Sequence, residues 1–333
     1  MPMNIAQLLA LPPDQKDIDW LRRSLQLALE VELSTLPPYL CGLWSIKDAS
    51  HPVRKLIRSI VRQEMLHMGL ACNMLTAIGG TPEIVDGFKR LTYPGPLPGG
   101  VHPNLTVFLA GLSKLYIQLV YLVIEYPEGG PIKFAVVATY PTIGDFYDAI
   151  LGAFEQVNPN LSEAKQLTYP GLGSDDGLFV IKTVTDVERA ITEIREQGEG
   201  TPQSPLDPGS MNKELAHYYK FAEILFERTL AQTNGKWDFT GDPIPFPATF
   251  PVAPIPQGGY TNPPDEVGTA LRAFNQIFAE MLGSLQSAWS NGKQDDLDAA
   301  VGKMVALGGA ATKIMQFRLT DSNGVYGPDF RLS

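Results

Sequence analysis

Between residues 51 and 78, apolar side chains recur at alternating steps of three and four, through Ile57, Ile60, Ala71, Met74 and Ile78; Glu64 and His67 stand in the middle of the run. That period belongs to an α-helix, and all seven positions share one face. A face of this kind must be buried, yet burying an unpaired charge costs several kcal/mol. The chain therefore has to bring partners to Glu64 and His67 from other segments. A Glu and a His at i, i+3 can both reach one metal ion. A metal-free Glu–His pair satisfied inside the core is the other arrangement this stripe alone allows.

The remaining sequence is read in the same way. Long windows carry the helical period and alternating strand patterns are scarce, which predicts an all-α chain. A helix over about Asp17 to Ile46 precedes the one over His51 to Ile78, and the short gap makes an antiparallel hairpin; Asp48 and Ser50 stand there as caps, with Pro52 in the first turn. A Pro/Gly-rich crossover leads to an apolar helix near 105–126. Further helices are expected over 143–157, 187–197 and 210–228. Residues 233–264 hold eight prolines, which exclude a regular helix, and interleaved Trp237, Phe239, Phe246, Phe250 and Tyr260 favour a segment packed over the helices rather than a linker. Two final helices, near 265–289 and 295–317, form a hairpin. The division expected is a four-helix bundle with long irregular insertions in 1–232, and the Pro-rich segment and hairpin of 233–333 packed on it as one compact domain.

Charge and cysteine usage narrow the function. A net charge of −10 with no Lys/Arg cluster argues against nucleic acid and against direct membrane binding. Arg54, Lys55, Arg58 and Arg62 lie opposite an apolar stripe and read as a solvated face. The stretch from Leu105 to Ile124 carries Ser113, Lys114 and Gln118, so it reads as a core helix and not a membrane span. Cys41 and Cys72 form no metal or disulfide spacing, and no secretory signal opens the chain; a cytoplasmic setting is expected.

The Glu–His spacing occurs twice. Glu214 and His217 repeat it about 150 residues later, followed by apolar Phe221, Ile224 and Leu225. A di-metal carboxylate bundle uses one Glu from each of two helices and an ExxH pair from each of the other two. Glu32 shares a face with Leu25, Leu29 and Leu36, whereas Glu30 falls on the polar face with Arg23, Gln26 and Ser34. Glu32 and Glu64 each lie roughly sixteen residues from the hairpin turn, so antiparallel packing brings them level. Two residues compete for the last carboxylate: Glu125, at the end of an apolar helix, and Glu199, just before the second ExxH. Carboxylates with imidazoles suit iron or manganese better than copper, zinc or calcium, and the ligand types alone do not separate the two. Tyr39, Tyr116, Tyr218 and Tyr219 are candidate proton or electron donors near such a site.

The segments Glu32 with Pro37-Pro38-Tyr39-Leu40, Glu64-Met65-Leu66-His67, Ile124-Glu125-Tyr126-Pro127, Thr142-Ile143-Gly144-Asp145-Phe146-Tyr147, Gln197-Gly198-Glu199-Gly200 and His217-Tyr218-Tyr219-Lys220-Phe221 together resemble the ferritin-like family named for the iminophenyl-pyruvate dimer synthase of violacein biosynthesis. The likeness covers about residues 17–230. It implies a ferritin-like bundle, a site for two iron ions, and Glu32, Glu64, His67, Glu125, Glu199 and His217 at the family's positions; Glu214 comes from the ExxH spacing instead. The expected function is an oxidoreductase using dioxygen or peroxide on a small organic molecule, possible in secondary metabolism, with a homo-oligomer allowed. Iron storage or detoxification, and a metal-free helical interaction protein, are the alternatives.

Overall fold

The computed structural model describes residues 4–127, 143–201, 204–207, 214–320 and 322–332. After a short helix α1 (Ile5–Leu9), the two leading apolar stripes fold as α2 (Ile18–Ser45) and α3 (Pro52–Ala77), an antiparallel pair. The Asp17 carboxylate caps α2 by accepting from the amides of Asp19 and Trp20. Pro52 occupies the first turn of α3, where a missing N–H costs nothing. The cap itself is His51, whose ring nitrogen accepts from the Val53 amide, while Asp48 holds Ser50 in the turn.

Pro37 and Pro38 lie inside α2 and remove the amides that would have met the carbonyls of Leu33 and Ser34. The Tyr93 hydroxyl donates to the Ser34 carbonyl instead, at 2.7 Å. One turn on, the Tyr121 hydroxyl donates to the Pro38 carbonyl at 2.7 Å. Gly42 makes that approach possible, because a methyl there would collide with the Tyr121 oxygen.

Tyr121 closes a π turn. Helix α5 (Lys114–Tyr116), the π turn Ile117–Tyr121 and α6 (Leu122–Ile124) run on as one short rod that ends at Glu125. This corrects the helix expected near 105–126. Residues 105–112 are drawn into extended pairing: Val107 bridges Gly95, Gly111 N–H donates to the Val252 carbonyl, and the Leu109 carbonyl accepts from Ile255. Ser113 then caps the helix through the Tyr116 amide.

Shorter helices close the bundle around the long pair. α7 (Ile143–Val157) packs on α2 and on α8 (Val184–Glu199); α8 also meets α3; and α9 (His217–Phe226) meets α3, α8 and the π turn. Thr183 caps α8 in a reciprocal box with Asp186. Helix α9 starts later than the 210–228 pattern suggested. Backbone pairing of Asp207 N–H with the Glu214 carbonyl, and of Ala216 N–H with the Pro205 carbonyl, holds the preceding residues extended.

Helix α4 (Ile84–Arg90) lies on α2 and covers Glu30, which is buried and paired with Arg90 and Gln26 rather than facing solvent as its heptad position suggested. After a small hairpin of β1 (Ala231–Thr233) and β2 (Lys236–Asp238), the Pro-rich segment buries Ile244, Val252 and Ile255. Helices α10 (Asp265–Asn291) and α11 (Gln294–Ile314) form the C-terminal hairpin, which reaches α4, α2 and α3. Phe278 packs between Phe88 and Phe330 at the contact with α4. Asn73 of α3, fully buried, pins this layer: its amide donates to the carbonyls of Leu167 and Phe179, and its oxygen accepts from the Leu167 amide and the Trp289 indole. Among the described residues no helix is long and apolar enough to cross a membrane.

Candidate metal centre

Glu32 of α2, Glu64 and His67 of α3, Glu125 at the end of α6 and His217 at the start of α9 converge in the bundle interior, all of them buried. They form two overlapping groups, Glu32–Glu64–His67 and Glu64–Glu125–His217, and the ligating atoms of each group lie within 4.8 Å of one another. Glu64 belongs to both. The hairpin geometry explains the first group, since Glu32 and Glu64 sit level on the facing stripes of α2 and α3.

Each of the five side chains has one polar atom turned inward and the other held from outside. The Tyr147 hydroxyl donates to Glu32 Oε1 at 2.7 Å, leaving Oε2 at 3.6 Å from His67 Nδ1. Thr35 Oγ1 donates to Glu64 Oε2 at 2.5 Å, leaving Oε1 at 2.9 Å from His217 Nδ1 and 3.8 Å from His67 Nδ1. The Tyr39 hydroxyl donates to Glu125 Oε1 at 2.5 Å, leaving Oε2 at 3.4 Å from His217 Nδ1. The two imidazoles follow the same rule: His67 Nε2 meets Gln197 Oε1 at 2.9 Å, and His217 Nε2 meets Gln63 Oε1 at 3.1 Å. An amide oxygen can only accept, so both Nε2 atoms carry protons and donate. The neutral tautomer then has its lone pair on Nδ1, directed among the carboxylates.

The electrostatics match that geometry. Burial, and then the Glu125 carboxylate, push the Glu64 acid above its ordinary range. Burial opposes a charged His67, but the Glu32 carboxylate outweighs it and the net shift is upward. His217 likewise resists burial, and Glu125 with Glu64 drives it up to about 9. Three buried carboxylates thus call for positive charge at their centre. Tyr39 and Tyr147 are both raised well above the ordinary phenol value, by burial first and by Glu125 and Glu32 respectively, so their hydroxyls stay protonated and act as donors.

The residues are of the kind that could hold a metal ion. His217 Nδ1 is buried without a hydrogen-bond partner: Glu64 Oε1 is close, yet not placed to bond it. A buried Nδ1 with no hydrogen-bond partner, surrounded by carboxylate oxygens, is a position that a cation can take in place of a proton. The donor set of carboxylate oxygens and imidazole nitrogens suits iron or manganese.

A profile of the ferritin-like family matches residues 25–226, a span that contains all five converging residues. The chain belongs to the ferritin-like family. A crystal structure of a ferritin-like protein from Caulobacter vibrioides shares the fold at a TM-score of 0.65 and 24% identity, over 94% of this chain and 97% of that one. No curated protein matches the sequence.

Within this ferritin-like chain, two sequence expectations change. Glu214 is not in either group; it lies before α9, so it does not share a helical face with His217, and its Oε2 accepts from Lys220 Nζ at 2.8 Å. The place that an ExxH glutamate would take beside His217 is filled by Glu64 and Glu125. The Glu199 side chain lies outside the described residues. Of the four tyrosines proposed as donors, Tyr39 bonds a candidate ligand, whereas Tyr116 donates to the Phe108 carbonyl and Tyr218 and Tyr219 pack with Ala216. Thr35, Gln63, Tyr147 and Gln197 escaped the sequence reading. Their one signal is position: Gln63 and Thr35 lie one and three residues from Glu64 and Glu32, and Gln197 interrupts the Val187–Ile191–Ile194 stripe.

Proposed function

We propose that this ferritin-like chain is a di-iron carboxylate oxidoreductase, with manganese the alternative metal, acting with dioxygen or peroxide on a small organic substrate. The observation that carries the reading is a cavity of about 50 Å³ against the converging groups, lined by Glu32, Glu64, His67 and Glu125 together with Val31, Leu97, Ile124, Ile143 and Ile194. A metal-free ion network has no use for a cavity beside its charges, because buried polar groups are better satisfied when packed.

In this reading Glu32 and His67 would hold one ion, Glu125 and His217 the other, and Glu64 both. When bound, the pair would supply redox chemistry that no protein side chain offers. The chain's own residues do the rest. Thr35, Tyr39 and Tyr147 fix one oxygen of each carboxylate and so aim the other. Tyr39 and Tyr147 also keep a proton within hydrogen-bond reach of the centre. Val31, Leu97, Ile124, Ile143 and Ile194 give the cavity an apolar wall, and the Arg195 side chain also lines it. Resemblance to the iminophenyl-pyruvate dimer synthase group supports oxidative chemistry; its namesake reaction is not carried over. The acidic composition supports a small-molecule substrate over nucleic acid or membrane, and the isolated cysteines support a cytoplasmic setting.

The test is metal stoichiometry after anaerobic Fe(II) loading, followed by dioxygen consumption with candidate substrates. Two irons per chain are expected in the wild type, none in Glu64→Gln, and one each in Glu32→Gln and Glu125→Gln. No bound iron, or many irons per chain as in a store, would overturn the proposal.

A further inference from the structure

The two histidines are held alike, but what stands behind each holder differs in charge. Gln197 and Gln63 are both buried. Behind Gln197, on the same helix one turn earlier, Glu193 Oε1 accepts from Gln197 Nε2 at 2.9 Å. Behind Gln63 stands the buried Lys220, whose ammonium donates to the same Gln63 Oε1 at 2.8 Å and to Glu214 Oε2 at 2.8 Å. Gln197 Oε1 accepts from the His67 N–H, and the carboxylate on its amide nitrogen pushes electron density toward that oxygen. Gln63 Oε1 divides itself between the His217 N–H and a cation, which draws density away.

The strength of an imidazole as a metal ligand follows the hydrogen bond at its other nitrogen. A stronger acceptor there makes the ring the better electron donor. Resting on the metal-centre reading above, we propose that the two metal positions are inequivalent by construction: Glu193 acting through Gln197 makes the His67 position the tighter one, and Lys220 acting through Gln63 makes the His217 position the weaker. All four are positioning residues: Gln197 and Gln63 meet the outer Nε2 atoms of the two histidines, and Glu193 and Lys220 act through those glutamines. The inequivalence also gives Glu214 a place: it holds the Lys220 ammonium on Gln63 and lies three hydrogen bonds from His217.

Calorimetric titration with Mn(II) chloride tests this without any turnover. The wild type should bind two ions in steps separated by at least about tenfold, the size of effect outer hydrogen-bond partners typically exert. Glu32→Gln should remove the tight step and Glu125→Gln the weak one. Lys220→Met should tighten the weak step about tenfold and leave the tight step within about twofold, Lys220→Arg should keep the wild-type gap, and Glu193→Gln should weaken the tight step about tenfold. Two equal sites in the wild type, or variants that move both steps together as a general field effect would, overturn this inference while leaving the metal centre standing. No Mn(II) binding at all overturns the metal centre and this inference with it. Should Lys220→Met fail to fold, Glu193→Gln, at a partly buried position, decides the matter.

Discussion

Asn73 offers the sharpest test of how the outer layer is attached to the bundle. Its side chain is 0% exposed and makes four hydrogen bonds, two as donor and two as acceptor, to Leu167, Phe179 and Trp289. Asn73→Leu keeps the size and removes all four. The backbone N–H and carbonyl of Leu167, the carbonyl of Phe179 and the Trp289 indole N–H would then face a methyl group. Each polar group left unsatisfied in the interior costs about 1–3 kcal/mol, so the gross loss is about 4 kcal/mol at the low end. Burial of the new leucine returns about 2 kcal/mol. The net destabilisation expected is therefore at least about 2 kcal/mol, a large share of the ~5–15 kcal/mol that holds a typical domain. Urea unfolding of the metal-free protein, followed by circular dichroism, measures it directly. A change below about 1 kcal/mol with an unaltered slope would refute the reasoning, since it would mean water or the backbone replaces the amide at no cost.

Three further outcomes follow from the same structure. Tyr93→Phe should destabilise by about 1–3 kcal/mol in thermal or urea unfolding, because the Ser34 carbonyl freed by Pro38 loses its outside donor. Gly42→Ala should cost a similar ~1–3 kcal/mol through its collision with the Tyr121 oxygen; combined with Tyr121→Phe the loss should be less than the sum, and full additivity would show that the two do not touch. Tyr39→Phe and Tyr147→Phe should each weaken metal binding about 10–100-fold in a competition titration, the first at the Glu125 position and the second at the Glu32 position.

How much of this was legible in the sequence depends on the range of the interaction involved. The all-α class, the α2–α3 hairpin and the inward set of Glu32 and Glu64 with His67 follow from one helical period and one short turn, which are local. Glu214 shows where the local rule ends. ExxH spacing places two side chains together only if both residues are helical, and pairing of 205–207 with 214–216 keeps that segment extended. The same kind of non-local pairing removed residues 105–112 from their expected helix, an apolar run whose period alone does not separate a buried strand-like segment from a buried helix. Glu30 was assigned to solvent because its neighbours on that face are polar, but the face is covered by α4, and Arg90 arrives from a residue sixty positions away. Gln63, Gln197, Tyr147 and Thr35 carry no pattern of their own; each matters only through the atom it meets across the bundle.

The two prolines of α2 bear on the centre as well as on the fold. Consecutive residues of the proline-containing turn grip consecutive turns of the rod opposite: the Pro38 carbonyl accepts from the Tyr121 hydroxyl, and the Tyr39 hydroxyl donates to Glu125. Tyr121 and Glu125 are four residues apart and so share a face of that rod. The rod is short, and its last turn is held to α2 by these two contacts and the ring packing of Tyr121 on Tyr39, and to α9 by the packing of Tyr121 on Phe221. Glu125 is the residue that caps the C-terminal end of α6, whereas the other two carboxylates sit within long helices. Its aim at His217 therefore depends on the Tyr39 and Tyr121 contacts more than Glu32 or Glu64 depends on any single neighbour, which makes the Pro37–Pro38 turn the part of the scaffold that sets the Glu125 side of the proposed centre.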